Sequence, residues 1–328
     1  MRLATVDLGT NTVRLLVVEA GARRHGPADP SALAASRDTS RVLPDAWRTL
    51  AAEQRVTRLG EGLAASGRLG EAAMARTAAT VTDYVARARA AGAAVRVVAT
   101  SAVREAANGG AFARALQAAT GVAVEVVSGE DEARLTLRGA TAGLGPGGTI
   151  LVFDIGGGST EYILAREGYL LAAVSLRLGV VPLAERYPFP DRVPPERYAA
   201  LRGEVAARLE RELPAALRAA RVEALIGTAG TVTTLAALDL GLTAYDAARV
   251  QGHTLTRAAV ARLRERLAGL TVAERAALPC LEPGRADLIV PGTAIVEATL
   301  DVLALDALRV SDWGLREGMM LEALEKRA

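Results

Sequence analysis

Two glycine-rich segments of this chain place the same residue types at the same spacing. Each has an Asp, a Gly two residues later, and then small hydroxyl residues, with an apolar run before and after it. This pattern predicts a hairpin turn that exposes backbone N–H groups, hydroxyls and a carboxylate, which together can hold a phosphate and a metal ion. Two copies predict two related lobes with a phosphate-binding cleft between them. The first copy reads Asp7-Leu8-Gly9-Thr10-Asn11-Thr12, and the second reads Asp154-Ile155-Gly156-Gly157-Gly158-Ser159-Thr160-Glu161.

The carboxylates that bracket the second glycine run suit a magnesium ion. Asp154 ends the first strand of that hairpin, and Glu161 begins the return strand. Mg²⁺ prefers oxygen ligands and usually keeps several waters, so two acids around a bend of small residues can hold it. Asp7 in the first copy is a further candidate ligand. The alternative is a flexible glycine turn with solvated carboxylates, and the repeated Asp-x-Gly context favours the metal site.

Three consecutive acids, Glu130, Asp131 and Glu132, follow Ser128-Gly129. Acids favour a helix N-terminus and Ser is a good N-cap, so helix capping is one interpretation. Three acids exceed what capping needs, and the second interpretation is that one of them faces the cleft and orients a water for attack on phosphorus. Spacing alone leaves both interpretations open.

Two further segments are candidates for holding phosphate. Arg104 follows a strand end, where its five donors could clamp a phosphate, although a surface Arg is the commoner case in so Arg-rich a chain. The segment Gly227-Thr228-Ala229-Gly230-Thr231 reads as a strand-to-helix junction. Free N–H groups and the helix dipole favour an anion at such a junction, and close packing is the alternative. His25 and His253 are interpreted as structural or solvated rather than catalytic.

Composition excludes several classes of protein. A chain of 328 residues is long enough for two domains with substantial cores, and a net charge of +2 gives no reason to expect nucleic acid or a membrane as a partner. Lys326 is the only Lys, so Arg, hydroxyls and backbone N–H groups must hold any phosphate. The single cysteine, Cys280, excludes an internal disulfide and a multi-Cys zinc site. No signal peptide opens the chain and no long uncharged apolar run occurs, so a cytoplasmic location is expected.

Apolar strands alternate with helical patterns along the chain, which predicts an α/β fold. The segment 21–46 is rich in Ala, Pro, Arg, Asp and Ser and reads as a loop or disordered insertion. Residues 143–148 read as a turn that introduces the second lobe. Strands are predicted at 3–6, 13–18, 54–59, 95–99, 122–127, 150–153, 162–165, 170–175, 224–226 and 308–310, and helices at 71–91, 111–119, through Arg138, at 196–211, 257–268 and 286–303, and after Gly314.

Taken together, these segments resemble the exopolyphosphatase and guanosine pentaphosphate phosphohydrolase family (Ppx/GppA). The matches occur in the family's order and span nearly the whole chain. Besides the two glycine-rich copies and 227–231, they are Ala99-Thr100-Ser101-Ala102-Val103-Arg104-Glu105-Ala106, Val127-Ser128-Gly129-Glu130-Asp131-Glu132-Ala133-Arg134 and Val310-Ser311-Asp312-Trp313-Gly314-Leu315-Arg316-Glu317-Gly318.

The resemblance implies the α/β fold of the actin/Hsp70/sugar-kinase (ASKHA) superfamily, with two RNase H-like lobes and an active site in the cleft between them. Residues 1–128 would form the N-terminal lobe and 129–312 the C-terminal lobe, while a final helix at about 313–328 would pack back on the first lobe. The resemblance also implies removal of a terminal phosphate with Mg²⁺. It makes Glu132 the catalytic base, Asp154 and Glu161 the acids that position metal and water, and Arg104 a phosphate ligand.

The chain departs from the family's pattern in several places, of which three bear on the site or on the length of the chain. Thr10 and Thr12 replace two serines of the first turn, which keeps the hydroxyls and adds methyl groups. Arg14 places an extra cation near the cleft if it points inward. Long members carry a C-terminal helical HD-type domain, whereas this chain ends soon after Gly318, so a short, two-lobed member is expected.

The sequence therefore predicts a Mg²⁺-dependent phosphoanhydride hydrolase that releases the terminal phosphate of inorganic polyphosphate. Guanosine pentaphosphate ranks second as substrate, because no part of the sequence clearly reads a guanine base. Two further alternatives are an ATP-dependent kinase of the same fold and a non-catalytic sensor that binds the alarmone. Polyphosphate or guanosine polyphosphate is the expected partner, and a homodimer is compatible with the sequence. The residues predicted to cradle the phosphate are Gly9, Thr10, Asn11, Thr12, Arg104, Gly156, Gly157, Gly158, Ser159, Thr160, Gly227, Thr228, Gly230 and Thr231.

Overall fold

A computed structural model of the protein describes residues 1–21, 47–145 and 147–326. These residues form two β-sheets, one in each half of the chain. The strands are β1 (Arg2–Leu8), β2 (Thr12–Ala20), β3 (Trp47–Val56), β4 (Ala94–Ala99), β5 (Val124–Val126), β6 (Thr149–Ile155), β7 (Thr160–Arg166), β8 (Tyr169–Leu176), β9 (Ala224–Thr228), β10 (Thr254–Thr256) and β11 (Ala307–Val310).

Helices connect the strands and cover the sheets. Within the described residues, none of them combines the length and the apolar character that a membrane span requires. The helices are α1 (Leu63–Ser66), α2 (Glu71–Ala90), α3 (Ser101–Glu105), α4 (Gly109–Thr120), α5 (Gly129–Leu144), α6 (Val180–Arg186), α7 (Pro195–Glu212), α8 (Ala215–Arg218), α9 (Ala229–Asp239), α10 (Ala247–Val250), α11 (Arg257–Ala268), α12 (Val272–Ala276), α13 (Ile289–Val302) and α14 (Leu315–Glu325), with a 3₁₀ turn at Pro283–Arg285.

The two sheets repeat one topology. The N-terminal sheet has the order β3-β2-β1-β4-β5, in which β1, β2 and β3 pair antiparallel and β1, β4 and β5 pair parallel. In the C-terminal sheet the order β8-β7-β6-β9-β11 has the same succession of antiparallel and parallel pairs, and β10 adds an antiparallel edge strand. This repeat confirms the expectation of an α/β protein with two related lobes.

The central strand β1 is buried on both faces, which explains its nearly continuous apolar sequence. On one face Val6 packs with Tyr84 of α2. On the other face Leu3 packs with Met320 of α14, so the last helix returns to the N-terminal sheet. The lobe boundaries at residues 128 and 312 stay a prediction.

A pair of stacked tryptophans joins the two halves of the molecule. Trp47 begins β3 at the edge of the N-terminal sheet, and Trp313 follows β11 of the C-terminal sheet. Their ring centroids lie 5.4 Å apart and their planes are inclined by 18°. The stack therefore bridges the two sheets at one side of the cleft.

Several predicted element boundaries were wrong. The strand predicted at 54–59 is β3 at Trp47–Val56, because pairing with β2 recruits an edge segment whose mostly exposed residues give a weak apolar pattern. The helix predicted at 286–303 begins at Ile289, which places Pro291 in the first turn, where its missing N–H is tolerated. Helix α5 continues through Leu144 into the turn predicted at 143–148. Most of the predicted 21–46 loop lies outside the described residues.

Candidate active site

The two glycine-rich segments form the same turn. The N–H of Gly9 donates to the carbonyl of Thr12 at 3.1 Å, and the N–H of Gly156 donates to the carbonyl of Ser159 at 2.9 Å. Asp7 pairs across its hairpin with residue 14, and Asp154 pairs across its own with residue 161. The repeated spacing therefore corresponds to a repeated backbone structure.

Carbonyl groups of both turns accept hydrogen bonds from neighbouring backbone. In the first turn, Asn11 O accepts hydrogen bonds from the N–H groups of 57 and 58, and Thr10 O accepts one from Gly60. In the second turn, the first two N–H groups of α6 donate to the carbonyls of Gly156 and Gly157.

This arrangement leaves backbone N–H groups for a ligand. Within the described ranges, the N–H groups of Thr10, Asn11, Gly157 and Gly158 have no hydrogen-bond partner. All four residues line a cavity of about 100 Å³ between the lobes. Successive backbone N–H groups without an internal partner can form an anion-binding concavity.

The two turns lie against each other, which explains why glycine occupies the second. A Cβ added to Gly157 would lie 2.9 Å from the backbone nitrogen of Asn11 and 2.9 Å from the Cβ of Thr10. A side chain at position 157 would therefore push the turns apart and widen the cavity.

Three acids line the cavity, and burial raises the pKa of each of them. Asp7 reaches a pKa of about 6, because burial and the charge of Asp154 outweigh the nearby Arg14. Burial likewise raises the pKa of Asp154, against Arg14 and a hydrogen bond from Thr136. Burial and the charge of the neighbouring Glu161 raise the pKa of Glu132 well above its ordinary value. The site thus concentrates negative charge that a cation or a proton would neutralise.

Asp7 and Asp154 are the residues best placed to hold a metal ion. In the described part of the chain no group of three or more His, Cys, Asp and Glu side chains is arranged to bind a metal. The two aspartates occupy equivalent positions on facing hairpins, and Oδ1 of Asp7 is buried without a hydrogen-bond partner among the described residues. Mg²⁺ is commonly held by one or two carboxylates and several waters, so this pair fits it.

Glu161 is held away from the cavity by two hydroxyls. The Oγ atoms of Ser159 and Ser175 donate to its Oε1 at 2.8 and 2.6 Å. Burial, together with Asp154, raises its pKa to about 7. Its predicted part in metal binding stays a prediction, and it acts on the cavity acids through its charge.

Arg104 forms an ion pair with Glu132 and does not line the cavity. Its Nη1 donates to Oε2 of Glu132 at 2.8 Å and to the carbonyl of Val127 at 3.0 Å. The ion pair fixes the orientation of the Glu132 carboxylate. A direct contact of Arg104 with phosphate stays a prediction.

Two other arginines reach the cavity. Arg14 points inward, and Arg285, which the sequence reasoning missed, lies beside it. Burial and the charge of Arg14 lower the pKa of Arg285 to about 10. Two guanidinium groups near each other repel, and an anion between them relieves that repulsion. No local signal marks Arg285, which follows Pro283-Gly284 in an irregular segment.

The predicted junction at 227–231 divides into core and site residues. Gly227 faces Phe153 and Leu308 in the core, and the Thr228 hydroxyl donates to the carbonyl of Trp313. Gly230 and Thr231 line the cavity. A Cβ on Gly230 would overlap the guanidinium of Arg285, so the two are in direct contact. The start of α9 adds the positive end of a helix dipole.

Three other predicted hydroxyls, those of Thr12, Ser159 and Thr160, have partners in the protein. Thr160 donates to the carbonyl of Leu178 and is fully buried, so it does not reach the cavity. Thr12 lines the cavity and accepts a hydrogen bond from Arg285 at 3.2 Å. Phosphate contacts by these hydroxyls stay predictions.

A larger chamber of about 480 Å³ adjoins the cavity. Arg14, Asp154 and Arg285 line both spaces, so the chamber opens directly on the acids. Its outer walls include the stacked tryptophans and Tyr245. The arrangement suits a substrate whose terminal group occupies the cavity and whose remaining part occupies the chamber.

Comparison with known proteins shows the family to which the chain belongs. The model of the Ppx/GppA phosphatase family matches residues 39–327. The chain belongs to that family. It is 38% identical over 334 residues to exopolyphosphatase 2 of Mycobacterium tuberculosis, in a match that covers 98% of each chain. It is 31% identical to exopolyphosphatase 1 of Mycobacterium bovis, with 100% of this chain and 90% of that one covered.

Solved structures of Ppx/GppA proteins have the same fold. An exopolyphosphatase from Cytophaga hutchinsonii has a TM-score of 0.85 and 26% identity, with 99% of this chain and 98% of that one covered. The Aquifex aeolicus Ppx/GppA family member has a TM-score of 0.79 and 28% identity, with 100% and 98% covered. These likenesses confirm the ASKHA-type, two-lobed α/β fold expected from the sequence.

Proposed function

We propose that this protein is an exopolyphosphatase, which hydrolyses the terminal phosphoanhydride bond of inorganic polyphosphate. The observation that carries the proposal is the cavity itself, which is lined by buried acids, by two arginines and by two facing turns whose four N–H groups have no partner among the described residues. Membership of a phosphatase family and full-length likeness to proteins named exopolyphosphatase support it.

Binding comes from the turns and the arginines. The terminal phosphate accepts hydrogen bonds from the N–H groups of Thr10, Asn11, Gly157 and Gly158, and the guanidinium groups of Arg14 and Arg285 offset its charge. Charge-assisted hydrogen bonds to backbone N–H and arginine are the strong contacts that phosphate recognition uses. Since these donors are fixed before the substrate arrives, they can stabilise the charge that spreads over the equatorial oxygens during transfer.

Glu132 orients and deprotonates the attacking water. Arg104 occupies its Oε2, which leaves Oε1 to accept the proton. The raised pKa of Glu132 brings this carboxylate closer to the basicity that general-base catalysis at neutral pH requires. When bound at Asp7 and Asp154, Mg²⁺ would neutralise part of the phosphate charge. We infer that magnesium is the cation and that the enzyme acts in the cytoplasm. We expect neither nucleic acid nor a membrane as its partner.

Guanosine pentaphosphate is the second candidate substrate. The chamber beside the cavity has Trp47, Tyr245 and Trp313 in its walls, and aromatic rings of this kind can stack on a nucleobase. Polyphosphate ranks first because the named relatives are exopolyphosphatases.

The test is release of free phosphate from long-chain polyphosphate and from guanosine pentaphosphate, each with and without Mg²⁺. We expect Mg²⁺-dependent release without any acceptor, and the faster substrate identifies the activity. Release only in the presence of an acceptor would make the protein a kinase. Tight binding without release would make it a sensor.

A further inference from the structure

The segment 282–287 belongs to the C-terminal half but is docked on the N-terminal sheet. Arg58, in the loop after β3, pairs with Asp287 through two contacts, Nη1 to Oδ2 at 2.9 Å and Nη2 to Oδ1 at 2.7 Å. Nη2 also donates to the carbonyl of Gly284 at 3.1 Å. Gln54 of β3 donates to Glu282 at 3.1 Å. A paired, forked arginine contact of this kind fixes orientation as well as distance.

Docking of this segment delivers Arg285 to the cavity. The guanidinium of Arg285 donates to Thr12 Oγ1 at 3.2 Å and to Gln54 Oε1 at 3.0 Å, both in the N-terminal lobe. Its other side lies on Gly230 of the C-terminal lobe. Arg285 therefore occupies the seam between the lobes, and its position depends on both of them.

Arg58 is also tied to the phosphate turn. Its N–H donates to the carbonyl of Asn11 at 3.0 Å, while its side chain holds Asp287. Its backbone has a φ of 51°, a left-handed conformation that is unfavourable for a residue with a Cβ. Such a conformation persists where surrounding contacts fix it. One residue thus connects the first turn to the segment that carries Arg285.

We propose that Arg58 is a positioning residue, which through Asp287 holds the 282–287 segment on the N-terminal lobe and so places Arg285 beside the bound phosphate. The inference rests on the proposed function, in that Arg285 is taken as a phosphate ligand. It goes further by assigning completion of the site to an ion pair between the lobes. When that pair is broken, the turns and Glu132 remain in place and only the Arg285 contact is lost.

A double-mutant cycle tests this dependence. Arg58→Ala is expected to raise KM for polyphosphate about tenfold with kcat changed less than about twofold, and Arg285→Ala to raise KM by roughly ten- to a hundredfold. In the Arg285→Ala background, Arg58→Ala should add less than about twofold, because residues that act through one another are not additive. Full additivity, or an unchanged KM in Arg58→Ala, would overturn the proposal.

Three further variants separate this role from a merely structural effect. Asp287→Asn removes the partner's charge with almost no change of shape and should reproduce the rise in KM. Arg208→Ala removes an ion pair with Glu212 of similar exposure that is confined to α7, and it should leave KM unchanged. Exchange of the two charges in Arg58→Asp/Asp287→Arg should recover part of the lost affinity, and no recovery together with a normal Asp287→Asn would also contradict the proposal.

The design separates this inference from the proposed function. If the wild type releases no phosphate, the same cycle is measured as the affinity for pyrophosphate by calorimetry. A non-additive cycle in binding would then support the role of Arg58 while the hydrolase assignment fails. An absence of pyrophosphate binding in the wild type would remove Arg285 as an anion ligand and overturn both.

Discussion

The β1–β2 and β6–β7 hairpins share a turn and differ at one pair of equivalent positions. Asp7 is paired with Arg14 in the first hairpin, whereas Asp154 is paired with Glu161 in the second. One copy therefore brings a cation to the cavity, and the other brings an additional acid next to Glu132. The repeat supplies a symmetric cradle of N–H groups, and this exchange of charge makes the two sides chemically different.

A second difference lies in the turns themselves. The first turn has side chains at Thr10 and Asn11, and the second has none at Gly157 and Gly158. The side chains of one copy occupy the space that the other leaves. The two turns can thus approach closely enough to bind one phosphate between them, which identical turns with side chains could not do.

Substitution of Glu132, the cavity acid that lies outside both hairpins, should have the largest effect on activity. Glu132→Gln keeps the shape of the side chain but cannot accept a proton, so kcat for phosphate release should fall roughly 10²–10⁴-fold. Glu130→Gln, on the exposed side of the same helical turn, is the matched control and should retain activity. Wild-type turnover in Glu132→Gln would show that the hairpins catalyse without this base.

A side chain in the second turn should break the fit between the copies. In Gly157→Ala the added methyl meets Asn11 and Thr10, and the resulting displacement should lower kcat/KM by roughly 10–100-fold. Gly203→Ala, at an exposed position inside α7 where a Cβ meets nothing, should instead stabilise the protein by about 0.5–1 kcal/mol. Equal activity of the two variants would mean that the contact between the turns is dispensable.

The charge difference between the hairpins should appear as opposite changes in the pH–rate profile. Arg14→Gln removes a cation that lowers the pKa of Asp7 and of Asp154, so the acidic limb should move to higher pH. Glu161→Gln removes a negative charge that raises the pKa of Glu132, so the acidic limb should move to lower pH. Shifts in the same direction would contradict the asymmetry.

The smallest expected effect is that of Asp7→Asn on the stability of the ligand-free protein. The pKa of Asp7 is raised from 3.8 to about 6, so the folded protein holds this proton more tightly than the unfolded chain. Ionised Asp7 therefore destabilises the fold above about pH 6, and the effect disappears below about pH 4. Asp7→Asn should raise the free energy of unfolding by roughly 1–3 kcal/mol near pH 7.5 and by much less near pH 4.

Urea unfolding at both pH values measures this change. A gain of the same size at the two pH values would assign it to packing rather than to charge. A loss of stability near pH 7.5 would contradict the destabilising role of the ionised carboxylate.

The features that the sequence predicts well are local. Asp-x-Gly spacing locates both turns because a hairpin turn is encoded within a few residues, and the repeat of the turn predicts the repeat of the sheet. The acids after Ser128 mark the start of α5, where Ser128 is the N-cap and accepts a hydrogen bond from the N–H of Asp131, while Glu132 lines the cavity. Capping therefore accounts for the start of the helix, and the place of Glu132 at the cavity supports the second interpretation, while its part in orienting water stays a prediction.

The features that the sequence does not predict depend on tertiary contacts. Arg285 reaches the cavity on a segment that Arg58 and Gln54 contact from the other lobe, and no periodicity marks these residues. Spacing placed Ser159 and Thr160 at the phosphate, yet their hydroxyls bond within the protein. The direction of a side chain at the end of a hairpin depends on its neighbours across the sheet, which a linear pattern does not show.

The stack of Trp47 on Trp313 makes the separation of the lobes detectable by optical spectroscopy. These are the two tryptophans of the chain, and their indole rings are 5.4 Å apart and nearly parallel. Two identical chromophores so close couple their electronic transitions, so the pair should give a split circular-dichroism band and a shared emission. Any motion that parts the lobes at this point uncouples the two indoles, and the change can be followed in the native protein without a label.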